Sequence, residues 1–94
     1  MTMTIKKLSA MPYAQAHIEI DEDHNKTLFS YVTRVAELTN DGWLTVYGLH
    51  SMTTRKHIGA FMREYTNLDY ANAKGAYDGG YRLNVETGEI EELA

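Results

Sequence analysis

Leu49-His50-Ser51-Met52-Thr53-Thr54-Arg55-Lys56-His57-Ile58-Gly59-Ala60-Phe61-Met62-Arg63-Glu64-Tyr65 is the stretch on which the fold of this chain turns. It ends one strand, sets hydroxyls where a helix begins, and then lays out an apolar stripe. Ile58, Phe61, Met62 and Tyr65 recur at i, i+3, i+4 and i+7, one face of an amphipathic helix. Ser51 or Thr53 supplies the oxygen that caps it. Gly59 costs that helix about 1 kcal/mol relative to alanine. The chain upstream of it reads as sheet, and the chain downstream as a second short helix and a closing strand.

Upstream, Asn40-Asp41-Gly42 joins two strands, Leu28 to Leu38 and Trp43 to Leu49. A three-residue connection ending in glycine fits a type I turn closed by a bulge, with Gly42 at positive φ. In that register Leu38 faces Leu44, Ala36 faces Val46, and Val35 faces Tyr47 on the reverse side. One face then carries Leu28, Val32, Ala36, Leu38, Leu44 and Val46. The other carries Phe29, Tyr31, Val35, Trp43, Tyr47 and Leu49. Before these strands, Tyr13 to Ile20 alternates apolar and polar as a half-buried strand does, and Asp21-Glu22-Asp23-His24-Asn25 breaks it. Residues 1–10 form a partly ordered lead-in, and 11–94 a single domain.

Downstream, Asn67 or Asp69 caps a second helix through Tyr70, Ala73 and Tyr77, which Gly79-Gly80 ends. Tyr81 to Val85 is a strand. Glu86-Thr87-Gly88-Glu89 turns into Ile90-Glu91-Glu92-Leu93, an edge strand whose glutamates discourage pairing with other chains. The expected fold is α+β: an antiparallel sheet of about four strands with two short helices packed on one face, in the order β-β-β-α-α-β. Two short helices cover one sheet face, so the second apolar face must meet the N-terminal segment, another subunit or a ligand.

The 94 residues carry no cysteine, which rules out disulfides and thiolate metal sites, and are 44% hydrophobic with seven tyrosines, a globular composition. No apolar run reaches the roughly 20 residues of a membrane span, and the expectation is a cytoplasmic protein without a membrane partner. A net charge of −4 argues against charge-driven binding of nucleic acid. The charges are segregated, however. Acids crowd Glu19 to Asp23 and Glu86 to Glu92, whereas Arg55, Lys56, Arg63 and Lys74 make the middle basic.

Two sets of residues offer binding chemistry. Phe29, Tyr31, Trp43 and Tyr47 form an aromatic sheet face suited to a protein interface or to stacked bases, and the acidic turn Asp21, Glu22 and Asp23 with the acidic tail is the other contact surface for a protein partner. At the helix start, Thr53, Thr54, Arg55, Lys56 and the later Arg63 could hold an anion, since free amides and cations meet there. The plainer reading of that set is ordinary capping with solvated cations. His17 and His24, like His50 and His57, stand seven apart without a zinc pattern. The alternation Glu19, Asp21, Asp23 lacks the glycine and terminal glutamate of a calcium loop. No nucleophile elbow or phosphate loop occurs. Neither a cofactor nor catalysis is expected.

Leu28-Phe29-Ser30-Tyr31-Val32-Thr33-Arg34-Val35-Ala36, Gly42-Trp43-Leu44 and Ser51-Met52-Thr53-Thr54-Arg55-Lys56-His57-Ile58-x-x-Phe61 together resemble a family of short phage-encoded proteins of unknown function. Leu83-Asn84-Val85-Glu86-Thr87-Gly88-Glu89-Ile90 is similar to the closing strand and turn of that family. The resemblance spans Leu28 to Ile90 and omits the N-terminal strand. It implies a phage or prophage origin, and it brings no catalytic residue. Small phage accessory proteins often bind and block a host factor, defence nucleases such as CRISPR effectors included. The expected function is therefore a non-enzymatic, anti-CRISPR-like module that engages and inhibits a host protein, with a homodimer through the aromatic face. The alternative is a phosphate-backbone nucleic-acid binder using the basic helix start.

Overall fold

Thr39 to Gly42 turns the chain by the chemistry that its sequence provides. The Gly42 amide donates to the Thr39 carbonyl at 3.0 Å, the Thr39 amide donates to the Trp43 carbonyl at 2.9 Å, and Gly42 sits at φ 94°. The flanking strands pair Leu38 with Leu44 and Ala36 with Val46, and the Tyr47 amide reaches the Val35 carbonyl at 3.0 Å. Turn chemistry sets this register, as the sequence suggests.

The computed structural model describes residues 3–47, 52–66 and 81–92. Its strands are β1 (Thr4–Lys6), β2 (Ala16–Ile20), β3 (Lys26–Ser30), β4 (Thr33–Leu38), β5 (Trp43–Val46), β6 (Tyr81–Asn84) and β7 (Ile90–Glu92). They form one seven-stranded sheet in chain order, each antiparallel to its neighbours. Helix α1 (Met52–Tyr65) packs on β3 and β4.

The expectation of about four strands and two helices on one face is overturned: seven antiparallel strands carry a single helix among the described residues. Three causes account for the strands. Leu28 to Leu38 is not one strand but two, β3 and β4, joined by a tight turn at Tyr31-Val32. No glycine, asparagine or proline marks that turn; Tyr31 itself takes φ 57°. The lead-in contributes β1, which pairs Thr4 with Ile20 and Lys6 with Ile18. The tail forms β7 at the opposite edge, the edge strand read there but not counted among the four. The second helix expected through Tyr70, Ala73 and Tyr77 falls outside the described residues.

A bulge then redistributes the faces. Phe29 pairs with Arg34 and Leu28 with Ala36, which leaves Val35 as the extra residue of β4. Val35 and Ala36 are consequently both buried in the core, and Arg34 returns to the opposite face beside Phe29. The sequence expectation placed Val35 on the outer face and Val32 in the core. Val32 is instead 93% exposed at the turn.

The core lies between the sheet and α1. Ala16, Ile18, Leu28, Val35, Ala36, Leu38, Leu44, Val46 and Leu83 meet Ile58, Ala60, Phe61 and Met62 of the helix. Leu8, fully buried, joins them from the segment between β1 and β2, with Met11 and Ala14 packed at its margin. The Ser9 amide donates to Glu64 Oε1 at 2.8 Å and ties that segment to the end of α1. Thus the N-terminal segment covers the core face, not the outer one.

Gly42 and Gly88 offer a paired test of the turns. A Cβ at Gly42, φ +94°, would lie 3.1 Å from Asn84 Oδ1 and 3.2 Å from Glu86 Cγ, whereas one at Gly88, φ +80°, meets nothing within 4 Å. Both alanine variants carry backbone strain of about 1–2 kcal/mol. Gly42→Ala adds a clash, so its urea midpoint falls further than that of Gly88→Ala. Equal midpoints would show that the close approach to Asn84 costs nothing.

Candidate functional site

Each ring on the outer sheet face is covered by a neighbour from the next strand. His17 stacks on Phe29 with centroids 4.9 Å apart and planes 3° apart. The Arg34 guanidinium lies 4.5 Å from the Tyr47 ring centroid, and that of Arg82 lies 4.2 Å from the Trp43 ring. Such cation–π pairs contribute roughly 0.5–1 kcal/mol where water reaches them. His17 also bonds Glu19 through Nε2 at 3.1 Å, and Arg82 bonds Glu91 at 2.9 Å. Phe29, Trp43 and Tyr47 are half-buried in this setting. Burial pushes the Tyr47 phenol up, and Glu37 nearby adds to the effect while Arg34 opposes it.

Tyr31 does not join these rings. It stands at the β3–β4 turn, 55% exposed, with its amide donating to the Gln15 carbonyl. Immediately below it lies a sealed polar cluster. Ser30 Oγ is hydrogen-bonded to His57 Nδ1 at 2.9 Å and to Thr54 Oγ1 at 3.1 Å. Ser30 and His57 are each 2% exposed. This trio pins the first turns of α1 to the end of β3. Burial lowers the His57 pKa from its ordinary 6.5, because the imidazolium would lose its hydration.

The acidic residues come together at the other end of the sheet. Asp21 accepts from the amides of Asp23 at 2.9 Å and Asn25 at 3.0 Å, and from Asn25 Nδ2 at 3.2 Å. These bonds, the Asn25 amide first, hold its carboxyl below the ordinary range. Asn25 Oδ1 in turn accepts from the Asn40 amide at 2.8 Å, joining the β2–β3 turn to the β4–β5 turn. Asn84 Nδ2 donates to the Asp41 carbonyl at 3.2 Å, and the Val85 amide donates to the Gly42 carbonyl at 2.8 Å. Those two bonds add the β6–β7 turn, within which Asn84 Oδ1 accepts from the amides of Glu86 and Thr87. Three turns therefore stand side by side, two strands or about 10 Å apart. Glu22, Asp23, Asp41, Glu86 and Glu89 are exposed on them. Among the described residues no group of three or more His, Cys, Asp or Glu is placed to hold a metal ion.

Of the acidic residues singled out in the sequence, Asp21 holds its own turn, while Glu22 and Asp23 are exposed. Sequence reasoning missed Asp41, Asn25 and Asn84. An asparagine or aspartate flanking a turn is the available signal, since its side chain bonds nearby backbone. The basic helix start is divided between the core and solvent. Thr54 is buried against Ser30, Thr53 and Lys56 are exposed, and Arg55 is half-buried. Arg63 follows Arg55 by two turns, about 12 Å along the axis.

One family model, described as a family of unknown function, DUF8033, matches residues 3–78. The chain belongs to DUF8033. The matched span takes in β1 to β5 and α1, and so two of the three acidic turns. No curated protein matches the chain, and no solved structure does. In this DUF8033 chain no helix among the described residues is long and apolar enough to cross a membrane.

The two depressed pKa values give stability a direction with pH. For His57 the folded value lies below 6.5, so the unfolded chain takes up the proton first and stability is lost as pH falls from 6.5 through the folded value. For Asp21 the folded value lies below 3.8, and its contribution is lost at lower pH still. Urea midpoints measured across this range should decline in two steps. His57→Gln removes the upper step and Asp21→Asn the lower; a His57→Gln variant with the wild-type slope would show that burial does not shift the imidazole.

Proposed function

We propose that this chain is a non-enzymatic binding module that engages and inhibits a host protein through the acidic end of its sheet. The observation that carries this reading is the row of three turns, cross-linked by Asn25 and Asn84, with five exposed carboxylates. A rigid comb of carboxylates complements a cationic surface, as nucleic-acid-binding proteins present, and such complementarity speeds and orients association. A nuclease of host defence is a partner of that kind. The resemblance to short phage-encoded proteins supports a phage or prophage origin, an anti-CRISPR-like role and action in the host cytoplasm.

The non-enzymatic character draws support from where the reactive groups lie. Ser30 and His57 are sealed against each other, and the Asp21 carboxylate is engaged by its own turn. The rival reading, a phosphate-backbone binder, draws less support, because Thr54 of its contact set turns inward.

The test is quantitative capture of host proteins by the wild type and by a variant carrying Glu22→Gln, Asp23→Asn, Glu86→Gln and Glu89→Gln. Capture of a specific host protein should weaken about tenfold or more in the variant, and wild-type binding should fall as salt rises. Capture unchanged in the variant overturns the reading. Binding of a single-stranded oligonucleotide that is lost on Arg55→Ala with Lys56→Ala would replace it with the phosphate-backbone alternative.

A further inference from the structure

The outer sheet face is charged in two rows. Register places His17 opposite Phe29 and Phe29 opposite Arg34, with Tyr47 alongside beneath the Arg34 guanidinium. Two residues along β2, β3 and β5, and three along the bulged β4, Glu19 stands opposite Thr27, Thr27 opposite Glu37 and Glu37 opposite Thr45. The first row is aromatic and cationic. The second is acidic and hydroxylic across β2 to β5, with Arg82 of β6 opposite Thr45 at its end. The imidazole and the guanidinium of the first row each share a strand with an acid of the second: His17 and Glu19 on β2, Arg34 and Glu37 on β4.

This arrangement is its own complement. A two-fold axis lying in the face, across the strands and midway between the rows, lays each row on the other row of a second copy. Arg34 then meets the partner's Glu37, and Glu37 meets the partner's Arg34. On β2, His17 meets the partner's Glu19, while Phe29 lies on the partner's Thr27 and Tyr47 on the partner's Thr45. Two sheets packed face to face are about 10 Å apart, a gap that an arginine and a glutamate span from opposite sides. An axis running along the strands between β3 and β4 would instead lay Arg34 on the partner's Phe29 and Glu37 on the partner's Thr27, leaving both covered charges without an opposite charge. We infer that the outer face is a homodimer interface in which β2 to β5 pack on the same strands of a second copy, with Arg34 and Glu37 paired reciprocally across the two-fold axis.

This interface goes beyond the proposed engagement of a host protein and does not depend on it. The acidic turns lie at the strand ends, off the face, and the dimer leaves one set free at each end. Measured mass therefore reports on the dimer, and host-protein capture on the acidic end.

The experiment is sedimentation equilibrium on the full chain, with circular dichroism to confirm that each variant folds. Wild type should have twice the chain mass. Arg34→Glu and Glu37→Arg should each be monomeric, or dissociate at least about tenfold more readily, since each puts like charges together twice. Mixing the two variants should restore the dimer, because each then offers the charge that the other lacks. That rescue distinguishes a contact between copies from a merely local effect on the Tyr47 stack. Monomeric wild type overturns the inference, as does a dimer indifferent to both substitutions or a mixture that stays monomeric.

Discussion

A helix of 14 residues is about 21 Å long and 10 Å wide, enough to roof two or three strands of a sheet that has seven. The rest of the structure answers to that shortfall. Over the core face, α1 sits on β3 and β4, and the segment carrying Leu8 fills space beside it. Two devices fix the helix in place: the Ser30–Thr54–His57 cluster at its start and the bond from Ser9 to Glu64 near its end. A misplaced helix would leave Ser30 and His57 buried without partners, at a cost of several kcal/mol. Apolar packing alone would tolerate a slide that this polar anchor does not.

The outer face receives no such roof from the described residues, and it is built to do without one. A guanidinium or imidazole laid flat on a ring removes apolar area from water while keeping its own edge hydrated. Phe29, Trp43 and Tyr47 each receive one such neighbour. The rings alone, read from the sequence, call for a foreign cover; their partners across the strands supply part of that cover from within the chain. Arg82 and His17 lie far from Trp43 and Phe29 in the chain, so no local pattern announces the stacks.

What was legible followed explicit local chemistry. Asn40-Asp41-Gly42 dictated its turn and hence the register of β4 with β5; the stripe Ile58, Phe61, Met62 dictated the buried side of α1. What was not legible lacked punctuation. Tyr31-Val32 turns the chain without a turn residue, and the bulge at Val35 depends on how two strands meet. The missed turn mattered twice, because the turns of a meander alternate between the two ends of the sheet. Without it, the Asp21–Asp23 turn and the Asn40–Gly42 turn fall at opposite ends. With it they fall at the same end, where Asn25 joins them and the β6–β7 turn completes the row. The acidic runs were visible in the chain; their convergence required the right parity.

The stacks on the outer face also bear on why such a surface suits association. A cation–π pair is worth roughly 0.5–1 kcal/mol in water but about 2 kcal/mol once desolvated. Covering the face with a second sheet would therefore strengthen Arg34 over Tyr47 instead of stripping Arg34 of a favourable contact. The charge on Arg34 must still be met, since a buried unpaired guanidinium is prohibitive. Glu37, three positions along the same strand, is the acid that two-fold symmetry returns to it from the other copy. A stacked cation and a nearby acid on one strand thus meet both requirements at once, and neither requires any residue beyond those already holding the monomer's face together.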